Sequence, residues 1–143
     1  MEERILREKI AEMLDKAETV DYTKQLPDTE YDVMCAIWAG ELPITTGYLM
    51  QVLGNDRNWK TPTLISFLQR LEERGFIASL KMGRERCYFP LADQKRYLEA
   101  VTKRFMEKYH GGSFISMMDA VFPARTLTDD DIDALLAWLR AGK

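Results

Sequence analysis

The stretch NWKTPTLISFLQRLEERGFIASLKMGRERCYFPL, residues 58–91, contains a helix pattern followed by two short strand patterns. Three apolar residues recur at helical spacing and share one face: Leu64, Leu68 and Leu71. Gly75 suits the end of this helix, and Gly83 permits a tight turn between the segments FIASL and RCYFPL. The pattern predicts a helix over residues 61–74 and a β-hairpin over residues 76–91.

The polar side chains of this stretch indicate nucleic-acid binding. Thr61 is expected to cap the helix, with Pro62 in its first turn, where the missing N–H of proline would be unpaired in any case. Short polar groups and a cation lie on faces other than the leucine face: Thr63, Ser66 and Arg70. Three cations lie at the hairpin tip: Lys81, Arg84 and Arg86. Because such a helix fits the DNA major groove and a basic hairpin fits the neighbouring phosphates, we predict a recognition helix and a wing.

Basic charge is concentrated in this same stretch. Residues 57–86 contain seven Lys and Arg against three Glu, whereas the whole chain has a formal net charge of −3 and a pI of about 5.3. Residues 1–20 and 119–143 are both acidic. An acidic body would repel DNA everywhere except at the basic head. The alternative is that these charges only solvate a surface helix and a hairpin.

Length and composition limit the class of protein. A chain of 143 residues suits one compact domain, or a small domain with an extension. The charged start MEERILREKIAEML does not resemble a signal peptide and no apolar run could cross a bilayer, so we expect a cytoplasmic protein. Cys35 and Cys87 fit no metal-binding pattern and are expected to be free thiols. Without a phosphate loop, a metal cluster or a nucleophile paired with a base, the sequence favours neither an enzyme nor a protein with a cofactor.

Helix patterns surround the central stretch. Residues 2–19 form an amphipathic pattern, and a second helix is predicted to start near Pro27. After the short strand-like link LPI, Thr45 or Thr46 is expected to cap a third helix, which ends at Gly54. Its expected apolar residues are Leu49, Val52 and Leu53. Three more helices are predicted after the hairpin, and the residues expected to begin them are Asp93, Ser113 and Thr128.

This order of elements is the winged-helix arrangement, and the sequence resembles the BlaI/MecI penicillinase-repressor family. The resemblance rests on three segments in order: LPDTEYDVMCAIW from Leu26, W-x-x-x-T-L-I-S-x-L-x-R-L-x-x-R-G from Trp59, and K-x-G-R-x-x-x-Y-x-P from Lys81. It extends more weakly through YLEAVTKRFMEKYHGGSFISMM to the last helix, and so covers about residues 26–140.

The predicted fold is mainly α and has three parts. The resemblance implies a winged helix-turn-helix domain with a small β-ribbon wing at 26–91 and a helical dimerisation domain at 92–143. The amphipathic pattern adds an extra N-terminal helix and linker at residues 1–25, outside the resemblance. The resemblance also implies a homodimeric transcriptional repressor that binds double-stranded DNA at a palindromic operator. The residues expected to contact DNA are Trp59, Lys60, Thr61, Thr63, Ser66, Arg70, Lys81, Arg84 and Arg86.

The segment after Asp93 is expected to form the dimer interface. Its helices are apolar on one face and too few to build a large core alone, which favours a partner chain as their cover. The expected interface residues are Phe114, Ile115, Met118, Ile132, Leu135 and Leu139. Pro62 stands where some relatives have a lysine, so their operator sequences are not transferred to this chain.

The sequence does not identify the signal that would release such a repressor from DNA. In penicillinase repressors a membrane sensor-protease pathway leads to cleavage of an Asn-Phe bond, but the matching pair here is Ala120-Val121. Copper-responsive relatives carry a C-terminal cysteine cluster, and this chain has no cysteine after Cys87. Cys35 is expected to pack in its helix rather than to sense oxidation, and His110 has no second metal ligand nearby. A second function class stays open, a winged-helix module that binds protein instead of DNA.

Overall fold

The computed structural model describes residues 2–123 and 126–142. In chain order its elements are α1 (Glu2–Glu18), α2 (Asp28–Ala39), β1 (Ile44–Thr45), α3 (Thr46–Leu49), a π-helical turn (Met50–Gly54), α4 (Thr61–Glu73), β2 (Ile77–Met82), β3 (Glu85–Pro90), α5 (Gln94–His110), α6 (Phe114–Val121) and α7 (Asp129–Ala141). The chain divides into two compact units, Met1–Val101 and Thr102–Lys143. Among the helices of the described residues, none has both the length and the apolar character that crossing a bilayer requires.

A small antiparallel sheet confirms the predicted winged-helix order. Its strands lie in the order β1-β3-β2, so the two-residue strand β1 pairs with β3 and not with its neighbour in sequence. The β2–β3 pairing runs from Ile77 opposite Pro90 to Met82 opposite Glu85. This leaves a two-residue loop that begins at Gly83, whose φ of 69° is a conformation that glycine adopts without strain.

The hydrophobic core of the first unit lies between this sheet and the helices α2, α3 and α4. Leu64, Leu68 and Leu71 are fully buried, as their spacing predicted. The helix ends near Gly75, which has a φ of 80°, and this confirms its predicted role as the helix terminator. Other large side chains that are almost completely buried are Val33, Met34, Ile37, Ile44, Leu49, Phe76 and Ile77.

Two local predictions in the helix-turn-helix segment are wrong. Thr61 does not cap α4, because the helix starts at Thr61 itself and Lys60 is the extended residue before it. The Lys60 carbonyl accepts hydrogen bonds from the N–H groups of Thr63 and Leu64, and no side chain caps this end. The Thr45 hydroxyl caps the third helix, as expected, and helical structure continues to Gly54, although only its first turn is α-helical and the rest is the π-helical turn. Val52 lies in the π-helical turn and is 42% exposed, so it is not the core residue we expected.

The three helix starts predicted after the hairpin are all present. The Asp93 carboxylate accepts a hydrogen bond from the Arg96 N–H, and the Ser113 hydroxyl accepts one from the Ser116 N–H. Thr128 forms a reciprocal capping box with Asp131 at the start of α7. These side chains satisfy backbone N–H groups that have no partner inside a helix.

Two tyrosine hydroxyls tie the linker before α2 to the start of α5, and we call this pair the tyrosine clasp. The Leu26 N–H donates to the Tyr97 hydroxyl at 2.9 Å, and the Asp93 N–H donates to the Tyr22 hydroxyl at 2.8 Å. Tyr97 is 2% exposed, and its ring lies among three aromatic rings: Tyr31, Trp38 and Phe76. The clasp therefore joins two segments that sequence periodicity does not connect.

Helix α1 is amphipathic, as its pattern predicted, but the first unit does not bury its apolar face. None of its residues is buried, and Ile5, Ile10 and Leu14 are 45%, 45% and 65% exposed. The helix runs beside the hairpin across open hollows. One of these hollows has a volume of about 420 Å³, and the α1 residues that line it are Leu6, Ile10, Met13, Leu14 and Ala17.

Candidate nucleic-acid interface

Helix α4 presents a polar face opposite its three buried leucines. Thr61, Thr63 and Arg70 are exposed, and Ser66 is half-buried. Thr63 and Ser66 have short side chains, so a flat partner can come close to the backbone of α4 at these positions. Short hydroxyl side chains suit contact with base edges or with a thymine methyl group.

A chain of aromatic and cationic side chains runs along one flank of α4. The Trp59 and Phe67 rings lie 5.0 Å apart, with the Arg57 guanidinium 5.6 Å from the Trp59 ring and the Arg70 guanidinium 5.7 Å from the Phe67 ring. Trp59 is half-buried, so it supports this flank as well as bordering the polar face. Arg57 is anchored in turn by Asp32 of α2, at 2.8 Å. Arg57 belongs to the basic stretch of the sequence, but its pairing was not predicted, since nothing in the sequence connects it with Asp32.

The orientation of α4 is fixed by a second pair that the sequence did not reveal. The Arg74 guanidinium contacts the Glu30 carboxylate at 2.8 Å, and the Glu30 side chain is only 4% exposed. This ion pair joins the first turn of α2 to the residue that follows α4. The helix dipole favours a carboxylate in the first turn, and the sequence shows one there. The burial of this carboxylate depends on the tertiary fold, which the sequence pattern does not show.

The hairpin brings its three predicted cations together. Lys81 and Arg86 lie directly opposite each other on β2 and β3, and Arg84 lies in the loop. All three side chains are exposed. Like charges opposite each other destabilise a strand pair, so this arrangement favours an anion as a partner. Cys87, next to Arg86, points to the other face of the sheet and is a buried free thiol, as expected.

The residues predicted for the dimer interface lie on α6 and α7 and are accessible. Phe114, Ile115, Ile132 and Leu139 are 45%, 66%, 43% and 48% exposed, and Met118 and Leu135 are half-buried. In the described part of the second unit, residues 102–123 and 126–142, no residue is buried. The helices of this unit therefore present their apolar faces without a core of their own.

The residues considered for a release signal have ordinary structural roles here. Ala120 and Val121 lie at the end of α6, and both are exposed. The His110 Nδ1 is 2.9 Å from the Ser116 hydroxyl, which joins the end of α5 to α6. Cys35 is free and half-buried, and its hydrogen bond with Tyr31 raises the pKa of the Tyr31 hydroxyl above its ordinary value. Within residues 2–123 and 126–142 no group of three or more potential metal ligands comes together.

Comparison with known proteins supports what the geometry indicates. The family described as penicillinase repressor matches residues 26–141 of the chain. The chain belongs to this family. Helix α1 lies outside the matched segment, so the penicillinase-repressor part of the molecule begins at the linker that carries Leu26.

Individual relatives extend the match over most of the chain. The penicillinase repressor of Bacillus licheniformis is 28% identical over 119 residues, which cover 83% of this chain and 92% of that protein. The methicillin resistance regulatory protein MecI of Mammaliicoccus sciuri is 24% identical over 113 residues, covering 79% and 91%. A solved structure, Bacillus licheniformis BlaI in its monomeric form with the blaP half-operator, is 31% identical. It covers 52% of this chain and 90% of that chain, with a TM-score of 0.45.

Proposed function

We propose that this protein is a homodimeric transcriptional repressor that binds an inverted-repeat DNA operator through α4 and the hairpin wing. The observation that carries the proposal is the juxtaposition of two surfaces. The hydroxyl-rich face of α4 supplies groups that can distinguish base edges, and the cations of the adjacent wing supply charge for phosphates. Membership of the penicillinase repressor family gives independent support.

The roles of the predicted residues follow from their chemistry and exposure. We assign base contacts to Thr63 and Ser66, because hydroxyls at the exposed face of α4 can exchange hydrogen bonds with bases. We assign phosphate contacts to Arg70, Lys81, Arg84 and Arg86, whose charges are exposed. The remaining predicted contacts border these two groups: Trp59, Lys60 and Thr61.

The homodimer is supported by the composition of the second unit. It carries exposed apolar side chains on α6 and α7 and has no buried residue in its described part. An isolated helix of 13 residues such as α7 is marginal in water without packing. A second copy of the same segment would cover these faces, and a two-fold dimer would place two copies of α4 on one side of a DNA duplex.

Footprinting on fragments selected from the host genome tests the proposal. We expect an inverted repeat whose half-sites are separated by about one helical turn of DNA or a simple multiple of it. Affinity should fall steeply with salt, since each neutralised phosphate releases counterions. Binding of a monomer to a single asymmetric site would refute the dimeric part of the proposal. Absence of any salt-dependent DNA binding would refute the whole, and would favour a module that binds protein.

A further inference from the structure

The wing is joined to the end of α4 by three side chains on three different elements, which we call the wing relay. The Arg86 guanidinium on β3 donates from Nη1 to the Ser79 hydroxyl oxygen on β2 at 2.9 Å. The Ser79 hydroxyl donates to the Glu72 carboxylate on α4, with distances of 2.9 and 3.1 Å to its two oxygens. A single hydroxyl therefore accepts from a cation and donates to an anion.

The wing relay offsets a repulsion between two cations of the hairpin. Arg86 lies directly opposite Lys81, and two like charges in this position repel each other. The relay holds the Arg86 guanidinium toward Ser79 and links it, through that hydroxyl, to the negative charge of Glu72. Lys81 pairs directly with Arg86, so these two residues lie on the same face of the sheet. Ser79 is two residues from Lys81 on β2 and therefore shares that face.

The bond to Ser79 leaves most of the donors of Arg86 available. A guanidinium has five N–H donors in a rigid plane, and the relay uses one of them. A free arginine side chain loses rotational freedom when it binds phosphate, whereas Arg86 has already lost part of that freedom in the DNA-free protein. The relay thus holds a planar guanidinium, whose geometry matches a phosphate, near α4 before DNA binds.

We infer that Ser79 and Glu72 are positioning residues for DNA binding, which hold Arg86 in place for a backbone phosphate and set the wing relative to α4. The inference rests on the proposed DNA-binding function and goes beyond it. Neither Ser79 nor Glu72 touches DNA in this scheme. Both act through Arg86.

The test compares DNA affinity and salt dependence among single variants of the full chain. Ser79→Ala leaves the net charge unchanged and removes the link, so it should weaken operator binding about two- to tenfold, the range expected when one side chain must be ordered on binding. The salt dependence should change little in Ser79→Ala, because Arg86 still neutralises its phosphate, whereas Arg86→Ala should flatten it by about one phosphate contact. Ser79→Thr keeps the hydroxyl and should restore the affinity.

Glu73 provides a matched control for Glu72. Both are exposed glutamates at the end of α4, but only Glu72 contacts Ser79. Either substitution changes the net charge of the chain by one unit, and we expect Glu72→Ala to bind operator more weakly than Glu73→Ala because only Glu72→Ala breaks the relay. In a chain that already carries Arg86→Ala, the change Ser79→Ala should have no further effect on affinity. Thermal melting of each variant checks that it folds, and Ser79→Cys takes the place of Ser79→Ala if the latter does not.

The outcomes separate this inference from the proposed function. If the unchanged protein does not bind DNA, the proposed function fails. If it binds but Ser79→Ala binds equally well, Arg86 needs no positioning and the inference is wrong. Tighter binding by Ser79→Ala also overturns it, since the relay would then withhold Arg86 from the phosphate. Equal effects of Ser79→Ala with and without Arg86 overturn it as well.

Discussion

Loss of the Tyr97 hydroxyl should destabilise the first unit more than the same loss at Tyr22. Both hydroxyls accept one backbone N–H, at 2.9 and 2.8 Å, but the donor at Leu26 is buried and the donor at Asp93 is exposed. In Tyr97→Phe the ring still packs against Tyr31 and Phe76, at centroid distances of 5.6 and 5.7 Å. The substitution removes the acceptor of the Leu26 N–H, which becomes a buried donor without a partner.

The magnitude follows from the difference in burial. An unsatisfied buried donor costs about 1–3 kcal/mol, whereas an exposed N–H can bind water instead, so Tyr22→Phe should cost about 0.5–1 kcal/mol. With a urea dependence of about 1–3 kcal/mol per molar, the unfolding midpoint of Tyr97→Phe should fall by about 1 M.

Urea unfolding followed by circular dichroism measures both variants, at one fixed protein concentration because association contributes to stability. The slope of the free energy with urea should be unchanged, since neither variant alters the surface exposed on unfolding. If Tyr97→Phe loses no more stability than Tyr22→Phe, burial of the Leu26 N–H does not matter and the argument is refuted.

Four further predictions concern recognition, association and pH. Thr63→Ala should weaken discrimination at one base position by at most about 1–3 kcal/mol, whereas Arg84→Ala should weaken binding to operator and random DNA alike; equal effects of both on both DNAs would make Thr63 structural only. A chain that starts at Tyr22, without α1, should dimerise more weakly or melt earlier and keep its sequence preference once dimeric; unchanged melting and dimer affinity would instead indicate a free or partner-binding arm. Ile115→Asp should shift the protein toward monomer in sedimentation equilibrium, because a charge would enter the proposed interface; an unchanged dimer would place the interface elsewhere. The raised pKa of Tyr31 means that its contribution to stability is complete below pH 10.0 and is lost as the pH rises through the raised value. Urea midpoints of the protein and of Tyr31→Phe on either side of that pH should therefore converge in alkali, and parallel curves would exclude the effect.

The parts of the fold that were predicted from sequence depend on local signals. The leucine spacing of α4, the glycines at positions 75 and 83 and the caps at Ser113 and Thr128 each act within a few residues, so a pattern can reveal them. The missed start of α4 is also local. Helix boundaries are uncertain by a residue, and here Lys60 rather than Thr61 has the extended conformation.

The parts that were not predicted depend on residues far apart in the chain. Glu30 meets Arg74, Asp32 meets Arg57, and the tyrosine clasp joins positions 71 residues apart. Each of these residues has a plausible surface role when only its neighbours in sequence are considered. The two ion pairs require α2 to pack near α4, and the clasp requires the linker to lie against the start of α5. Periodicity specifies neither arrangement. For the candidate interface, the exposed polar side chains were therefore predictable, whereas the residues that anchor them were not.

The absence of buried residues in the described part of the second unit has a consequence for protein turnover. If this segment folds only when two copies associate, its folding and its association are one equilibrium that depends on protein concentration. At low concentration the segment would spend more time open, and proteases degrade open segments in proportion to their population. The lifetime of the protein in the cell would then increase with its own abundance. A small drop in synthesis would be amplified by faster degradation, so operator occupancy would change more steeply than the rate of synthesis.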